Sequence, residues 1–450
     1  MALVNEMSAV TAVEQLDLFK TALVQTSIVS KKSFEVRPLS LLNTGGHVDF
    51  IITSAINEYT KLDETTIYAK FNVSLSRKDN TNVEIADWDK VSIVNNFLNS
   101  LFTQVDLSID ETQTTLSLQT YPYRSYFELL LGSKEESRNV YLSNCGFFKD
   151  EMDLANTPIT SRQELISYKR PRDATTDVSI FKGKTCELEG KLHLDLAMQP
   201  KSVLGGTTLK IKLVPNKPEY YFMISDDNLT AKIEFQDIHL NVVKETVTNN
   251  IVTAHRAALN VSPARYIISR NEVRSFTIDN GVTGKNLENV ITGNMPRSIF
   301  VALISNDAYN GNYKKNPYYF HHYNVNSICC YLNGEPYPLR ALTPDFKNNI
   351  YLREYFGLLR STNQLNNNVK TFISKKDYKN GYTIFAFDLS ADHSEGYYTS
   401  GYVNQPKQGV LRIEIKFSKA TTETINALIF SEFDNQINIL EDRQAITDYH

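Results

Sequence analysis

Residues 190–224 read GKLHLDLAMQPKSVLGGTTLKIKLVPNKPEYYFMI, and this stretch decides the predicted fold. Apolar and polar side chains alternate over residues 192–196 and again over residues 209–213, which is the period-two pattern of a strand with one buried face. Gly205 and Gly206 separate these two segments. The prolines at 215 and 218 lead into a third apolar segment, residues 220–224, so the stretch predicts three strands.

The same arrangement occurs a second time near the C-terminus. Residues 381–433 contain GYTIFAFDLSAD, QGVLRIEIKFSK and TINALIFSEF in matching order. A further matched pair, Tyr126-Phe127 and Tyr355-Phe356, precedes the two blocks at an offset of 229 residues (355 − 126). Repeated elements in one order indicate an internal duplication. The alternative is chance similarity among amphipathic strands.

Length and composition favour two β domains. A chain of 450 residues exceeds the usual size of one hydrophobic core. Tyrosine (25) and phenylalanine (23) are abundant whereas tryptophan occurs once, and aromatic and β-branched residues favour strands. The net charge of −4 excludes a strong overall attraction to nucleic acid. Four cysteines, and the lack of a signal peptide or an 18-residue apolar run, predict a protein without a membrane span that is not secreted.

Each half is predicted to hold about eight strands with one helix before the last three. Eight antiparallel strands close into two facing sheets as a jelly roll. The predicted fold class is therefore all-β, a tandem double jelly roll of two eight-stranded antiparallel sandwiches with short inserted helices. The predicted boundaries are an N-terminal arm at 1–33, a first jelly roll at 34–226 with an insertion at 133–186, a second jelly roll at 227–433 and a C-terminal tail at 434–450.

Several local features are also predicted. A helix over residues 126–131 ends at Gly132, a second helix covers 251–259 and a third covers 345–359. A change of apolar face in the strand 229–247 predicts a bulge at residues 236–237. Residues 279–294 are glycine- and asparagine-rich and are expected to form a connection. The turn at Asn333-Gly334 predicts a hairpin.

Catalytic and ligand-binding patterns are mostly absent. His321-His322 lacks the His-x-His spacing that places two ligands on one strand face. Glu187 and Glu189 share a strand face, so they would not flank a scissile bond from two sides. The cysteine pair at 329–330 is expected to fill core space. The sequence therefore predicts no catalytic residue, no metal site, no cofactor and no enzyme. The rival class is a carbohydrate-binding or hydrolytic β-sandwich, which would need an aromatic groove or opposed carboxylates.

Long segments of the chain resemble the major capsid proteins of Polinton (Maverick) elements and adintoviruses, which are related to virophage capsid proteins and adenovirus hexons. The resemblance covers most of the chain. It rests on VNNFLNSLFTQVDLSID (94–110), YPYRSYFELLLG (121–132), GKLHLDLAMQ (190–199), SIFVALISNDAYNGNYKKNPYYFHHYNVN (298–326), LTPDF (342–346), GYTIFAFDLSAD (381–392) and SEFDNQINI (431–439). Residues 133–186 depart from the family pattern except at 147–150.

The resemblance implies a structural protein of the virion. It implies a homotrimer whose six jelly rolls make a pseudo-hexagonal capsomer, neighbouring capsomers tiled into an icosahedral shell around double-stranded DNA, and a single jelly-roll penton protein as partner. Minor capsid proteins are possible further partners, and DNA contact would be weak or indirect. Synthesis is expected in the host cytoplasm or nucleus. By the same analogy, the insertion 133–186 and residues 279–294 project outward, whereas the arm and the tail lie inside.

Overall fold

The computed structural model describes residues 13–39, 46–133, 137, 140–150, 167–169, 181–183, 185–365, 373–394 and 396–447. The first twelve residues of the predicted arm, most of the predicted insertion 133–186 and the last three residues of the predicted tail lie outside these ranges. The proposed outward projection of the insertion therefore stays a prediction.

Strands dominate the described residues. They are β1 (Ile28–Val36), β2 (Val48–Thr53), β3 (Glu58–Arg77), β4 (Val91–Ile93), β5 (Phe102–Ile109), β6 (Thr112–Gln113), β7 (Ser167–Lys169), β8 (Phe181–Gly183), β9 (Thr185–Lys191), β10 (Thr208–Pro215), β11 (Phe222–Ile224), β12 (Leu229–Val247), β13 (Ala264–Ile278), β14 (Gly284–Asn294), β15 (Ser298–Ser305), β16 (Val325–Leu332), β17 (Glu335–Leu342), β18 (Ile384–Asp388), β19 (Gln408–Phe417), β20 (Ile425–Ile439) and β21 (Ala445–Thr447).

The helices are short and lie in the connections between strands. They are α1 (Phe97–Ser100), α2 (Tyr121–Gly132), α3 (Pro218–Tyr221), α4 (Asn249–Leu259), α5 (Asn306–Asn310), α6 (Leu352–Ser361), α7 (Lys375–Lys379) and α8 (Tyr397–Ser400), with 3-10 turns at Glu14–Leu16, Ile85–Lys90, Leu142–Cys145 and Asp195–Met198. This distribution confirms the all-β class with short inserted helices.

The two halves of the chain have the same strand order. The first half forms the sheets β1-β12-β3-β9 and β2-β10-β5-β6, and the second forms β13-β20-β15-β18 and β14-β19-β16-β17. When the eight strands of each half are numbered separately, both halves show the order 1-8-3-6 in one sheet and 2-7-4-5 in the other. All of these pairings are antiparallel. The tandem double jelly roll is therefore confirmed.

The predicted division between the halves at residues 226 and 227 is wrong. Strand β12 pairs with β1 along one edge and with β3 along the other, so it is the eighth strand of the first half. The connection to the second half is helix α4, which follows β12 and leads into β13. Residues 225–228 form a turn before β12, and turn-forming residues occur within a domain as readily as between domains. Local composition could not separate the two cases.

The outer boundaries also shift. Strand β1 begins at Ile28, inside the predicted arm, and its residues pair with β12. Strand β20 runs to Ile439 and pairs with β21, so much of the predicted tail belongs to the second half. Within the described residues, the segment outside the sheets at the N-terminal end is therefore 13–27.

Two of the three strands predicted from residues 190–224 are placed differently. Residues 195–198 form a 3-10 turn and not a strand. All side chains of residues 192–196 are buried, so the alternation of polar and apolar residues does not correspond to one wet and one buried face. The sixth strand of the first half is β9, which ends at Lys191. Strand β11 pairs only with β4 in a separate two-stranded sheet. The matched segments 209–213 and 411–415, by contrast, lie in β10 and β19, which are the seventh strands of the two halves.

Other local predictions are confirmed. Helix α2 ends at Gly132, α4 covers the predicted 251–259, and β16 and β17 form the hairpin around Asn333-Gly334. The register of β12 against β3 shifts between Phe235 and Asp237, where the bulge was predicted. Residues 279–294, expected as a connection, contain β14, which is a strand of the second sandwich.

Burial shows where the halves meet. Along β3, buried and half-buried residues alternate, so this strand has one face in the core and one face toward solvent. Every residue of β15, the third strand of the second half, is buried. Both faces of β15 are covered because α2 from the first half lies over the outer face of its sheet. The junction between the halves is therefore the most extensively buried part of the fold.

Candidate functional site

The junction between the halves is built around helix α2. Pro122 lies in the first turn, where its missing N–H costs no hydrogen bond, and Gly132 ends the helix. The side chain of Phe127 is fully buried. Its ring stacks against Phe320 and against Phe430, both of the second half, with centroid distances of 5.3 Å in each case. Phe127 therefore joins the first half to the core of the second.

Tyrosines extend this aromatic contact along the helix. The ring of Tyr126 stacks on Tyr318 at 4.2 Å, and the ring of Tyr123 stacks on Tyr309 at 5.6 Å. Stacked and edge-on aromatic pairs contribute about 0.5–1.5 kcal/mol each beyond the area they bury. The aromatic face of α2 thus fixes the second half against the first through several independent contacts.

A cluster of charged side chains lies beside these rings. The guanidinium of Arg124 donates to Glu128 (Nε to Oε1, 2.9 Å) and to Asp195 (2.6 Å). The ring of His193 lies 2.6 Å from the other oxygen of Glu128. Asn271 of β13 completes the cluster, because its side-chain amide donates to Glu128 over 2.9 Å and its backbone N–H donates to Asp195 over 3.1 Å.

Electrostatics hold the carboxylate of Glu128 in its charged form, whereas burial raises the pKa of Asp195. Burial alone raises the pKa of Glu128, but the positive charge of Arg124 and the hydrogen bond with His193 outweigh burial and lower that pKa to about 2. The carboxylate is therefore ionised at neutral pH and accepts hydrogen bonds from both halves of the chain. The residues of this cluster were not among those predicted from the sequence. Their signal was the Arg-x-x-x-Glu pair inside the otherwise apolar YPYRSYFELLLG, where helical i, i+4 spacing brings the charges together.

Helix α6 is the counterpart of α2 in the second half. Both lie in the connection between the fifth and sixth strands, and both carry Arg-x-Tyr-Phe-x-Leu-Leu, at residues 124–130 and 353–359. Their environments differ. Phe356, at the position of Phe127, is 44% exposed, and Leu352, at the position of Tyr123, is 51% exposed. These two positions of α6 therefore lie open to solvent among the described residues, whereas the matching positions of α2 are buried.

A second exposed apolar segment is 13–27, the described part of the predicted arm. Phe19 is 96% exposed and Leu23 is fully exposed. The segment ends where the side chain of Gln25 accepts a 2.9 Å hydrogen bond from the backbone N–H of Ile28, at the start of β1. Large apolar side chains with this exposure mark contact surfaces in folded proteins.

One cavity lies at the junction and another lies within the second half. One of about 790 Å³ lies between the halves and is lined by Glu128, His193 and Asn271, together with residues of β9 and β15. The other, of about 370 Å³, lies in the second half beside Arg270 and Phe433. Within the described ranges, no three His, Cys, Asp or Glu side chains come together in a group that could hold a metal ion. The cavities thus mix polar and apolar walls without a metal-binding cluster.

The histidine pair at 321–322 lies in the loop before β16. Its two rings stack at 4.4 Å, and each Nδ1 accepts a backbone N–H, from Tyr323 and Asn324 respectively. Burial lowers the pKa of both rings, that of His322 to about 3. Each neutral ring therefore carries its proton on Nε2 and uses Nδ1 to support the turn before β16.

The carboxylates at 187 and 189 and the cysteines at 329 and 330 make contacts that support the fold. Glu187 and Glu189 lie on the solvent face of β9, where Glu187 accepts from the Tyr68 hydroxyl (3.0 Å) and Glu189 from Thr66 (2.6 Å) and Asn241 (2.9 Å). The cysteines at 329 and 330 are both buried and free, as core-filling residues are. In the described part of the chain, no helix is both long and apolar enough to cross a membrane.

The chain is similar in sequence to a curated protein over almost its whole length. No protein-family model matches the chain. The curated Uncharacterized protein F54H12.2 of Caenorhabditis elegans is 25% identical over 437 residues, which cover 94% of this chain and 98% of the relative. The similarity therefore spans both halves.

Solved structures share the architecture. A chain of the Sputnik virophage, solved by cryo-EM, matches with a TM-score of 0.63 and 13% identity, over all of this chain and 94% of that one. The mavirus major capsid protein matches with a TM-score of 0.54 and 11% identity over 98% and 95%. The Faustovirus major capsid protein matches with a TM-score of 0.53 and 8% identity over 93% and 92%. The chain has the double jelly-roll fold that these viral capsid proteins share.

Proposed function

We propose that this chain is a structural major capsid protein. The observation that carries the proposal is the strand order 1-8-3-6 and 2-7-4-5, present in both halves of a chain whose fold is similar to viral major capsid proteins over nearly their whole length. The resemblance of its sequence to Polinton and adintovirus capsid proteins points in the same direction. Shell building is the function that accounts for this architecture.

The proposed assembly unit is a homotrimer. Two similar sandwiches in one chain give a pseudo-sixfold brick when three chains close into a ring, and such bricks tile a shell efficiently. The brick would be built from one kind of chain and one repeated interface. Neighbouring capsomers, a single jelly-roll penton protein and minor capsid proteins are the proposed partners, and the virion is the proposed location.

The proposed content of the shell is double-stranded DNA, held without strong protein contact. The net charge of −4 gives no overall basic field that would neutralise phosphates. The exposed segment 13–27 is the proposed tie between neighbouring capsomers, because its large apolar side chains are uncovered in the single chain. Synthesis in the host cytoplasm or nucleus, without secretion, completes the proposal.

Mass photometry of the purified chain at micromolar concentration tests the assembly unit. The expected species is three times the chain mass of 51.2 kDa, about 154 kDa. A population that stays monomeric at every concentration up to tens of micromolar would overturn the proposal. Negative-stain electron microscopy of the same sample is expected to show pseudo-hexagonal particles, with shells at higher concentration.

A further inference from the structure

The repeated helix motif places one covered aromatic face beside one uncovered face in the same chain. In the first half, Phe127 of α2 is buried against Phe430 of β20, and Asn271 of β13 reaches Glu128 of the same helix. The outer face of the sheet β13-β20-β15-β18 is therefore the surface on which α2 lies. In the second half, Phe356 at the matching position of α6 has no such cover within the described residues.

In the described part of the chain, the outer face of the matching sheet of the first half is also uncovered along β3. In β1-β12-β3-β9, the outer side chains of β3 are half-buried, whereas those of its counterpart β15 are buried. This outer face carries the half-buried Tyr68, which stacks at 4.7 Å on the buried ring of His239, and beside them Glu187, whose side chain is 62% exposed. Each chain thus presents both surfaces of a second contact, of the kind that its own two halves already make once.

We infer that the exposed face of α6 docks on the outer face of the sheet β1-β12-β3-β9 of a second copy of this chain. Phe356 and Leu352 would lie over the stacked pair Tyr68 and His239, as Phe127 lies over Phe430 within one chain. This inference rests on the proposed function and deepens it, since it assigns the surface through which the trimer closes.

Charge supports the second copy as the occupant. The last turn of α6 carries the exposed Arg360, and the receiving face carries the carboxylate of Glu187. The same face also holds Lys70, but its ammonium lies 4.0 Å from Glu187 and is partly neutralised by it. Burial, followed by the hydrogen bond to Glu187, raises the pKa of Tyr68 to about 12, so the phenol stays protonated and keeps that carboxylate in place.

The geometry of the contact also predicts closure. A surface on one half that fits a different surface on another copy is a heterologous interface, which produces a ring when the rotation closes. The contact within one chain relates its first jelly roll to its second, and the contact between chains relates that second jelly roll to the first jelly roll of the next chain. Three chains would then alternate three contacts within chains with three between chains.

The variant Phe356→Glu tests the docking surface. We expect folded chains, with an unchanged far-UV circular dichroism spectrum, and a shift of the trimer-to-monomer midpoint by at least about tenfold in concentration, the size expected for an interface hot spot. Val261→Glu is the matched control, because Val261 is 88% exposed and lies outside both surfaces. Arg360→Glu serves as a second disrupting variant in case Phe356→Glu fails to fold.

Mixing two disrupted variants distinguishes a heterologous contact from a symmetric one. Phe356→Glu damages only the helix face and Tyr68→Lys damages only the receiving face, so each alone is expected to be monomeric. Together they retain one intact pair of surfaces and should form a dimer of about 102 kDa, twice the chain mass of 51.2 kDa. A mixture of folded chains that stays monomeric would overturn the inference.

The outcomes separate this inference from the function on which it rests. A wild-type chain that is always monomeric overturns the proposed assembly and the docking surface together. A wild-type trimer that persists unchanged in both Phe356→Glu and Arg360→Glu overturns only the docking surface. A trimer lost in these variants and kept in Val261→Glu supports both.

Discussion

The side-chain amide of Asn271 donates a 2.9 Å hydrogen bond to the carboxylate of Glu128, and this bond joins the second half of the chain to the first. Glu128 is nearly buried and also binds Arg124 and His193. A charge in such surroundings stabilises the fold only while all of its partners are present. The junction between the two jelly rolls is therefore sensitive to the loss of single groups.

The variant Glu128→Gln is expected to destabilise the chain by about 3 kcal/mol, because Arg124 loses one of its two buried carboxylate partners. Urea unfolding followed by circular dichroism measures this change. Glu111→Gln is the control, since Glu111 is exposed and should alter the free energy of unfolding by less than about 0.5 kcal/mol. Equal stabilities of the two variants would show that the cluster contributes little.

The same carboxylate predicts a pH dependence. Its pKa is lowered from 4.5 to about 2 in the folded chain, so its contribution is fully present above pH 4.5 and is lost as the pH falls toward 2. The difference in unfolding free energy between wild type and Glu128→Gln should therefore be largest near pH 6 and shrink below pH 4. Urea titrations at pH 6, 4 and 3 measure it. A difference that stays constant over this range would contradict the assigned pKa.

Removal of the central ring of the junction should be costly. Phe127→Ala is expected to lower the free energy of unfolding by about 3–5 kcal/mol, because a fully buried ring between Phe320 and Phe430 is replaced by a cavity. Phe19→Ala is the control, since Phe19 is 96% exposed and contributes no core packing. Thermal and urea unfolding report both. A loss below about 1 kcal/mol for Phe127→Ala would mean that the halves hold together without this contact.

Deletion of residues 1–24 should spare the fold and the trimer but reduce the yield of shells. The deletion stops before Gln25, whose side chain caps the start of β1, so the sheet keeps its edge strand. Electron microscopy and mass photometry measure shells and trimers separately. Deletion of residues 1–36 is the contrasting variant, because it removes β1 and should destabilise the first half. An unchanged shell yield after deletion of residues 1–24 would refute the proposed tie between capsomers.

A steric prediction concerns Gly205. A Cβ at this position would lie 2.3 Å from the backbone oxygen of Ile56, closer than any relaxed contact. Gly205→Ala should therefore cost about 1–3 kcal/mol, since backbone atoms cannot move aside as a flexible side chain can. Gly132→Ala, where nothing lies within 4 Å of the added carbon, should be close to neutral. Thermal unfolding of both variants checks the difference, and equal melting temperatures would contradict it.

Local sequence patterns predicted the elements better than their partners. The alternation in residues 209–213 and 411–415 located the seventh strand of each half, and the change of face near residue 236 located the bulge in β12. The same reasoning assigned β12 to the wrong half. The residues of β12, 229–247, do not by themselves indicate which strands will pair with it, because its partners β1 and β3 lie far away in the sequence. Residues 279–294 were misjudged for a related reason, since β14 obtains its hydrogen bonds from β19.

The sequence by itself determined the class of fold, the duplication and the resemblance to capsid proteins, because periodicity and long shared strings are properties of consecutive residues. Only the tertiary structure decided that Phe127 is buried and Phe356 exposed, although both stand in the same Arg-x-Tyr-Phe-x-Leu-Leu motif. Burial depends on which surface comes to lie against a helix. That surface is contributed by strands more than a hundred residues away from α2, and among the described residues no matching surface covers Phe356 of α6.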